Sequence, residues 1–107
     1  MKVLFRADSG LEMGAGHVMR CLALANDLAA SGARCRFVLR AHAGALVDAI
    51  RRARHEVRVL PLSGSRPTAG AGYERWVGAT VEADASATLD EALDLDADWV
   101  VGDHYGL

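Results

Sequence analysis

Two kinds of hydrophobic periodicity alternate along this chain. Residues 2–6 form a short apolar run rich in β-forming side chains, which predicts a strand buried on both faces. A loop over residues 7–16 follows, and the period then becomes helical. Apolar residues recur at i, i+3, i+4, i+7 and i+10, namely at Val18, Cys21, Leu22, Ala25 and Leu28. This pattern predicts a helix from about His17 to Ser31 that stops at Gly32.

The same alternation of strands and helices continues along the rest of the chain. The remaining predicted elements are, in order, a strand at 35–40, a helix at 44–54, a strand at 56–60, a loop at 61–72, a helix at 82–93 and a strand at 99–102. Strands that alternate with helices predict an α/β domain with a parallel sheet and right-handed crossovers. The usual doubly wound, Rossmann-like arrangement gives the strand order 3-2-1-4.

The composition narrows the class of protein. The 107 residues amount to one small domain or a piece of one, and a 51% share of hydrophobic residues excludes intrinsic disorder. A net charge of −2 and 6% aromatic residues give no basis for nucleic-acid binding. No apolar run approaches the roughly 20 residues of a membrane span, and Arg6 and Asp8 interrupt any signal sequence. We expect Cys21 and Cys35 to be buried, reduced thiols of a cytoplasmic protein.

Charged residues are unevenly distributed along the chain. Seven arginines lie between residues 34 and 58, and seven acidic residues lie between residues 82 and 98. This segregation predicts two solvent-exposed faces of opposite sign.

The first candidate for chemistry is the sequence Gly14-Ala15-Gly16-His17, between the first strand and the first helix. Glycines let a ligand approach the backbone, and a helix N-terminus attracts an anion such as phosphate. The spacing is neither G-x-G-x-x-G, since residue 19 is Met, nor a P-loop, so an ordinary tight turn is the alternative. The positive potential of the helix end favours the neutral imidazole that a general base needs, which makes His17 a candidate base. A solvated or capping histidine is the alternative.

The second candidate is Asp103-His104-Tyr105, directly after the fourth predicted strand. Sheets of this class place ligands at the carboxyl ends of their strands. The alternative is that Asp103 caps a helix while Tyr105 packs in a core. Because strands one and four are neighbours in the order 3-2-1-4, one group of residues should face the other: Asp8, Gly14, Gly16 and His17 against Asp103, His104 and Tyr105.

Arg20 is a third, less specific candidate. It lies nearly one helical turn beyond His17, within reach of an anion bound there, and a surface arginine is the alternative. No grouping of His, Cys, Asp and Glu has the spacing of metal ligands, so neither a metal nor another cofactor is expected.

Three of these segments together resemble one enzyme family. They are Phe5-Arg6-Ala7-Asp8-Ser9, the string GAGHVMRCLALA from Gly14 to Ala25, and Asp103-His104-Tyr105. The chain resembles the UDP-2,4-diacetamido-2,4,6-trideoxy-β-L-altropyranose hydrolases of pseudaminic acid biosynthesis, the PseG family. The match runs in order along all 107 residues and is loose in the middle. It implies the two-domain GT-B fold of glycosyltransferases such as MurG, with this chain as an incomplete N-terminal, Rossmann-like domain.

The resemblance also implies an activity. This family cleaves the bond between UDP and the sugar without a metal, uses water as the acceptor and inverts the anomeric carbon. The residue matching the catalytic base is His17, and Tyr105 would position water or sugar. The glycines would admit the sugar and the diphosphate. The positions expected to bind or support the substrate are Asp8, Gly14, Gly16, Arg20, Asp103 and His104.

Two other functions are compatible with the same residues. In a GT-B glycosyltransferase, or a related spore-coat polysaccharide biosynthesis protein, His17 would deprotonate a sugar hydroxyl instead of water. In a non-catalytic sugar-binding module, replacing His17 by Ala would leave the function intact.

The last predicted strand lies close to the end of the sequence, and no helix is predicted after it. We therefore expect the N-terminal part of a longer protein, whose missing C-terminal domain would hold most of the nucleotide. The isolated chain is expected to be inactive or nearly so. An uncovered fourth strand is also expected to leave an apolar patch.

Overall fold

The computed structural model describes residues 1–8, 15–41, 46–61 and 80–103, in which four strands alternate with three helices. The strands are β1 (Lys2–Ala7), β2 (Arg34–Arg40), β3 (Glu56–Leu60) and β4 (Trp99–Asp103). The helices are α1 (Gly16–Ala30), α2 (Val47–Arg52) and α3 (Val81–Leu95).

The four strands form one parallel sheet in the order β3-β2-β1-β4. The predicted α/β class and the 3-2-1-4 order are confirmed, and the domain is Rossmann-like. Strand β1 pairs with β2 on one side, Phe5 opposite Phe37, and with β4 on the other, Ala7 opposite Asp103. The strand order therefore reverses beside β1, which is where sheets of this class bind their ligands.

One face of the sheet carries an apolar core. Phe5 and Phe37 stack there with their ring centroids 4.8 Å apart. Helix α1 packs on this face through four of the five positions that its periodicity singled out: Val18, Cys21, Leu22 and Ala25. The fifth position, Leu28, is partly buried against the same core, as an amphipathic helix on a sheet requires.

The opposite face of β1 and β2, which α3 covers, is built around charges. Arg6, Asp8, Arg40 and Asp84 are at most 6% exposed, and we call them the buried ion cluster. Arg6 Nη2 donates to Asp84 Oδ1 at 2.7 Å, and Arg40 Nε donates to the same oxygen at 2.9 Å. Arg6 Nη2 also donates to Asp8 Oδ2 at 3.0 Å, while the Arg40 backbone N–H donates to Asp8 Oδ1 at 2.7 Å. Two positive and two negative charges thus balance inside the domain.

A second group of ions lies on the same face, nearer the amino ends of the strands. Arg36 is 2% exposed and donates to Asp94 at 2.8 Å and to Glu91 and Glu56 at 3.1 Å. The prediction of two solvated faces of opposite sign is therefore wrong for Arg36 and Arg40. Both lie on a strand covered on both faces, where a charged side chain must meet a partner on the covering element.

The ends of the helices differ from the predicted ends by a few residues. Helix α3 starts one residue early because Thr80 caps it, its Oγ1 accepting from the Ala83 N–H at 3.1 Å. It ends where Asp96 takes a left-handed conformation, with φ at 57°. Helix α2 stops at Arg52, before Arg54 with φ at 66°, and Gly32 follows α1 with φ at 95°. Most of the loop predicted at 61–72, and residues 44 and 45 of the predicted second helix, lie outside the described residues.

Strand β4 forms an edge of the sheet within the described part of the chain. Trp99 is 65% exposed and Val100 is 53% exposed. A largely apolar groove of about 430 Å³ lies between β4 and α3, with Val81, Leu89 and Val100 in its lining. The expectation of an apolar patch beside the fourth strand is confirmed. Among the described helices, none has both the length and the apolar character that crossing a bilayer demands.

His55 connects α1 to the start of β3 at the amino edge of the sheet. Its Nε2 lies 2.8 Å from Asn26 Oδ1, and its ring centroid lies 5.8 Å from that of Phe37. Burial lowers the pKa of His55 below its ordinary value of 6.5. The imidazole is therefore part of the packing in its neutral form.

His55 should make the stability of the fold depend on pH. Below about pH 6.5 the unfolded chain binds a proton at His55 more readily than the folded chain does. The free energy of unfolding should therefore fall as the pH drops, until the folded form is protonated too. In His55→Gln this part of the dependence should be lost. Urea unfolding of both proteins between about pH 7.5 and 5.5 measures it, and an equal loss in the two would contradict the prediction.

Replacing Asp84 by Asn should leave two buried guanidinium groups with only one carboxylate. Removing one partner of a buried ion pair costs about 3–5 kcal/mol, so Asp84→Asn should lower the free energy of unfolding by about that amount. Asp90→Asn, at an exposed position of the same helix, is the matched control and should change it by less than about 0.5 kcal/mol. Urea unfolding compares the two. Equal stability of both variants would show that the ion cluster does not support the fold.

Candidate functional site

The candidate site lies at the carboxyl edge of the sheet, between β1 and β4. The register of the two strands places Ala7 beside Asp103, the last residue of β4. Helix α1 begins at Gly16 over this edge because its apolar stripe docks on the sheet below. His17 and Arg20, three residues apart on α1, therefore lie on the turn nearest Asp103.

His17 is directed at Asp103. Its Nδ1 lies 2.7 Å from Asp103 Oδ1, and its side chain is 5% exposed. An ionised carboxylate can only accept a hydrogen bond, so this contact favours the tautomer that donates from Nδ1 and keeps its lone pair on Nε2. The predicted meeting of the first helix and the fourth strand is confirmed for these two residues. The alternative of a solvated histidine does not hold, because the ring is buried.

Arg20 completes a group of three side chains. Its Nε donates to Asp103 Oδ2 and its Nη2 to Asp103 Oδ1, each at 3.0 Å, so two parallel hydrogen bonds fix the plane of the carboxylate. The hydrogen bond from Arg20 outweighs partial burial and, together with the one from His17, holds the pKa of Asp103 below its ordinary value. Asp103 is therefore ionised at neutral pH and available as the acceptor for His17.

Within the ranges that the structure describes, the other titratable groups near this edge add neither a nucleophile nor a metal site. Cys21, one turn beyond His17, is buried, and burial together with the charge of Asp103 raises the pKa of its thiol to about 11. It stays protonated at neutral pH. Cys21 and Cys35 are both buried, which confirms that part of the expectation. Among the described residues, no three His, Cys, Asp or Glu side chains are grouped to hold a metal ion.

The first turn of α1 has no side-chain cap. Its N-cap residue is Ala15, and the turn contains no acidic residue. The positive end of the helix dipole thus lies at the same edge as His17. Among the residues that the structure describes, a Cβ added to Gly16 would meet only Arg20 Nη1, at 3.8 Å, so packing against them does not require a glycine. Close approach of a ligand remains the predicted reason for it.

The remaining candidates are distributed differently. Asp8 lies at the same edge but on the opposite face of the sheet, and it is fully buried in the ion cluster. The structure does not bring it to His17, and its role toward a substrate stays a prediction. Gly14, His104 and Tyr105 lie outside the described residues, so the predictions for them remain untested.

Two sets of contacts were not predicted from the sequence, although the residue pattern contains a signal for each of them. Arg20 stands at i+3 from His17, so it had to share the helix face that meets Asp103. Arg6, Arg36 and Arg40 alternate with apolar residues in strands that are buried. Such arginines need acidic partners, and the following acidic helix was the element available to supply them.

Comparisons of this chain with protein-family models, with curated proteins and with solved structures found no match. The fold, the geometry at the carboxyl edge and the motif resemblance are therefore the grounds for a functional proposal.

Proposed function

We propose that this domain belongs to a nucleotide-sugar hydrolase that cleaves a UDP-linked 2,4-diacetamido-trideoxy sugar, with His17 as the general base. The observation that carries the proposal is the 2.7 Å contact between His17 Nδ1 and Asp103 Oδ1 at the edge where the strand order reverses. A histidine held through Nδ1 by a carboxylate is the arrangement that hydrolytic enzymes use to activate a hydroxyl. The motif resemblance supplies the substrate class, and the Rossmann-like sheet is compatible with the N-terminal domain of a GT-B fold.

In the proposed reaction, His17 Nε2 takes a proton from water as the water oxygen attacks the anomeric carbon. The bond between that carbon and the diphosphate oxygen breaks, and UDP leaves with the electron pair. The products are UDP and the free sugar, inverted at the anomeric carbon, and the imidazolium then returns its proton to solvent. Asp103 stabilises the imidazolium while it exists. A diphosphate is already a good leaving group, so the site needs a placed water and a base more than a strong acid.

The start of α1 is proposed to stabilise the charge that develops on the leaving diphosphate. The first turn has no acidic residue and no side-chain cap, so its N–H groups and its dipole favour an anion. Gly16 keeps that backbone open to close approach. By the motif resemblance, Gly14 would admit the same diphosphate, and Tyr105 would position the water or the sugar.

Release of UDP in the absence of an acceptor tests this function. The native polypeptide that contains this chain is mixed with the UDP-linked 2,4-diacetamido sugar, and free UDP is measured over time. We expect turnover by the wild type and a loss of about 10²–10⁴-fold in His17→Gln, because the base is removed. His55→Gln is the matched control: it replaces another buried histidine, at the opposite edge of the sheet, and should keep kcat.

Two other outcomes would contradict the proposal. UDP release that requires an added sugar acceptor would make the protein a glycosyltransferase, in which His17 deprotonates the acceptor hydroxyl. Binding of the UDP-sugar without turnover, unchanged in His17→Gln, would make it a sugar-binding module.

A further inference from the structure

We infer that Asp103 and Arg20 act as a unit that positions His17: Arg20 locks the Asp103 carboxylate, and Asp103 fixes the ring and the tautomer of His17. The inference rests on the proposed role of His17 as the base. It gives Arg20 a task other than the anion contact expected from the sequence. Both are positioning residues, because their effect on the reaction passes through His17.

The contact with Asp103 determines the tautomer of His17. A neutral imidazole carries its proton on either ring nitrogen, and the hydrogen bond made by one nitrogen decides which. Asp103 Oδ1, which can only accept, lies 2.7 Å from Nδ1, whereas the donor Arg20 Nη2 lies farther from it, at 3.2 Å. The nearer carboxylate therefore selects the tautomer with the proton on Nδ1. That tautomer alone leaves the lone pair on Nε2, where a general base needs it.

Arg20 holds the Asp103 carboxylate in one orientation. Asp103 is the last residue of β4 and its side chain is 25% exposed, so burial alone does not hold its carboxylate in one orientation. Arg20 donates to both carboxylate oxygens of Asp103: Nε donates to Oδ2 and Nη2 donates to Oδ1, each at 3.0 Å. Such a fork is specific to a guanidinium, because a lysine ammonium is a point charge that cannot make two parallel bonds.

His17 and Arg20 share one acceptor, Asp103 Oδ1. Asp103 Oδ1 receives both Arg20 Nη2 and His17 Nδ1, and these two nitrogens lie 3.2 Å apart. His17 and Arg20 belong to one helix, so their spacing is fixed by the backbone. A shift of the carboxylate would therefore break both contacts at once. The 63% exposure of the Arg20 side chain does not mark it as an idle surface residue.

The tautomer can be measured directly. Nitrogen-15 NMR of the histidine-labelled native protein shows which ring nitrogen of His17 carries the proton. We expect Nδ1–H in the wild type and a mixture with Nε2–H in Asp103→Asn and Arg20→Gln. Arg52→Gln, at an exposed arginine on α2, should leave the His17 signals unchanged. The same spectra confirm that each variant is folded, and a His17 tautomer that is unchanged in both site variants would overturn the inference.

Kinetics of UDP release provides the second readout. Asp103→Asn should lower kcat by about 10²–10⁴-fold, as the wrong tautomer does in other hydrolases. Arg20→Gln should lower kcat by about 10–100-fold with little change in KM, because it acts through a second residue, and Arg20→Lys should lie between it and the wild type. A raised KM at unchanged kcat in Arg20→Gln would make Arg20 a substrate contact and overturn its assignment.

The two readouts separate the inference from the function on which it rests. A native protein that releases no UDP, but whose His17 tautomer changes in both variants, would refute the hydrolase and retain the positioning unit. Turnover that requires His17 but is insensitive to Asp103 and Arg20 would retain the hydrolase and refute the positioning unit.

Discussion

The carboxylate of Asp84, on α3, accepts hydrogen bonds from Arg6 of β1 and Arg40 of β2 in a layer where every member is at most 6% exposed. Buried arginines of this kind are tolerated only where a counter-charge reaches them with good geometry. Asp84 therefore fixes which helix covers this face, and it does so near the helix start, where α3 meets the carboxyl edge of the sheet. The remaining carboxylate, Asp8, accepts from Arg6 and from the Arg40 backbone N–H, which ties the end of β1 to the end of β2.

The two faces of β1 therefore make different kinds of contact: ion pairs on the α3 face and apolar packing on the α1 face. On the α3 face, charge pairing ties the end of β1 to β2 and to α3. On the α1 face, apolar contacts of Val18 and Cys21 dock the helix that carries the candidate base. The β1–β4 register then brings Asp103 under the first turn of that helix. The contact between His17 and Asp103 follows from pairing and packing on both sides of one strand.

The fold was largely predictable because its signals are local. Apolar runs marked β1 and β2, valines alternating with charges marked β3, and a 3.6-residue period marked α1. The alternation of elements limited the topology to a parallel doubly wound sheet. The meeting of His17 and Asp103 followed from the strand order. The partners of Arg36 and Arg40 were not predictable in the same way. Arginines in a buried strand signal that counter-charges are needed, but which acidic residues meet them depends on how α3 packs on the sheet. The cap at Thr80 and the left-handed Asp96 depend on single residues at element ends, where periodicity carries no information.

If a positioned His17 activates water for attack on the anomeric carbon, the bond that breaks is the one between that carbon and the diphosphate oxygen. The native protein is incubated with the UDP-linked 2,4-diacetamido sugar in ¹⁸O-labelled water, and mass spectrometry of both products shows which bond to the bridging oxygen is cleaved. The mechanism predicts ¹⁸O in the anomeric hydroxyl of the released sugar and none in UDP. Label in the terminal phosphate of UDP would show that water attacks phosphorus instead, and it would contradict the role assigned to His17 and to the edge that holds it.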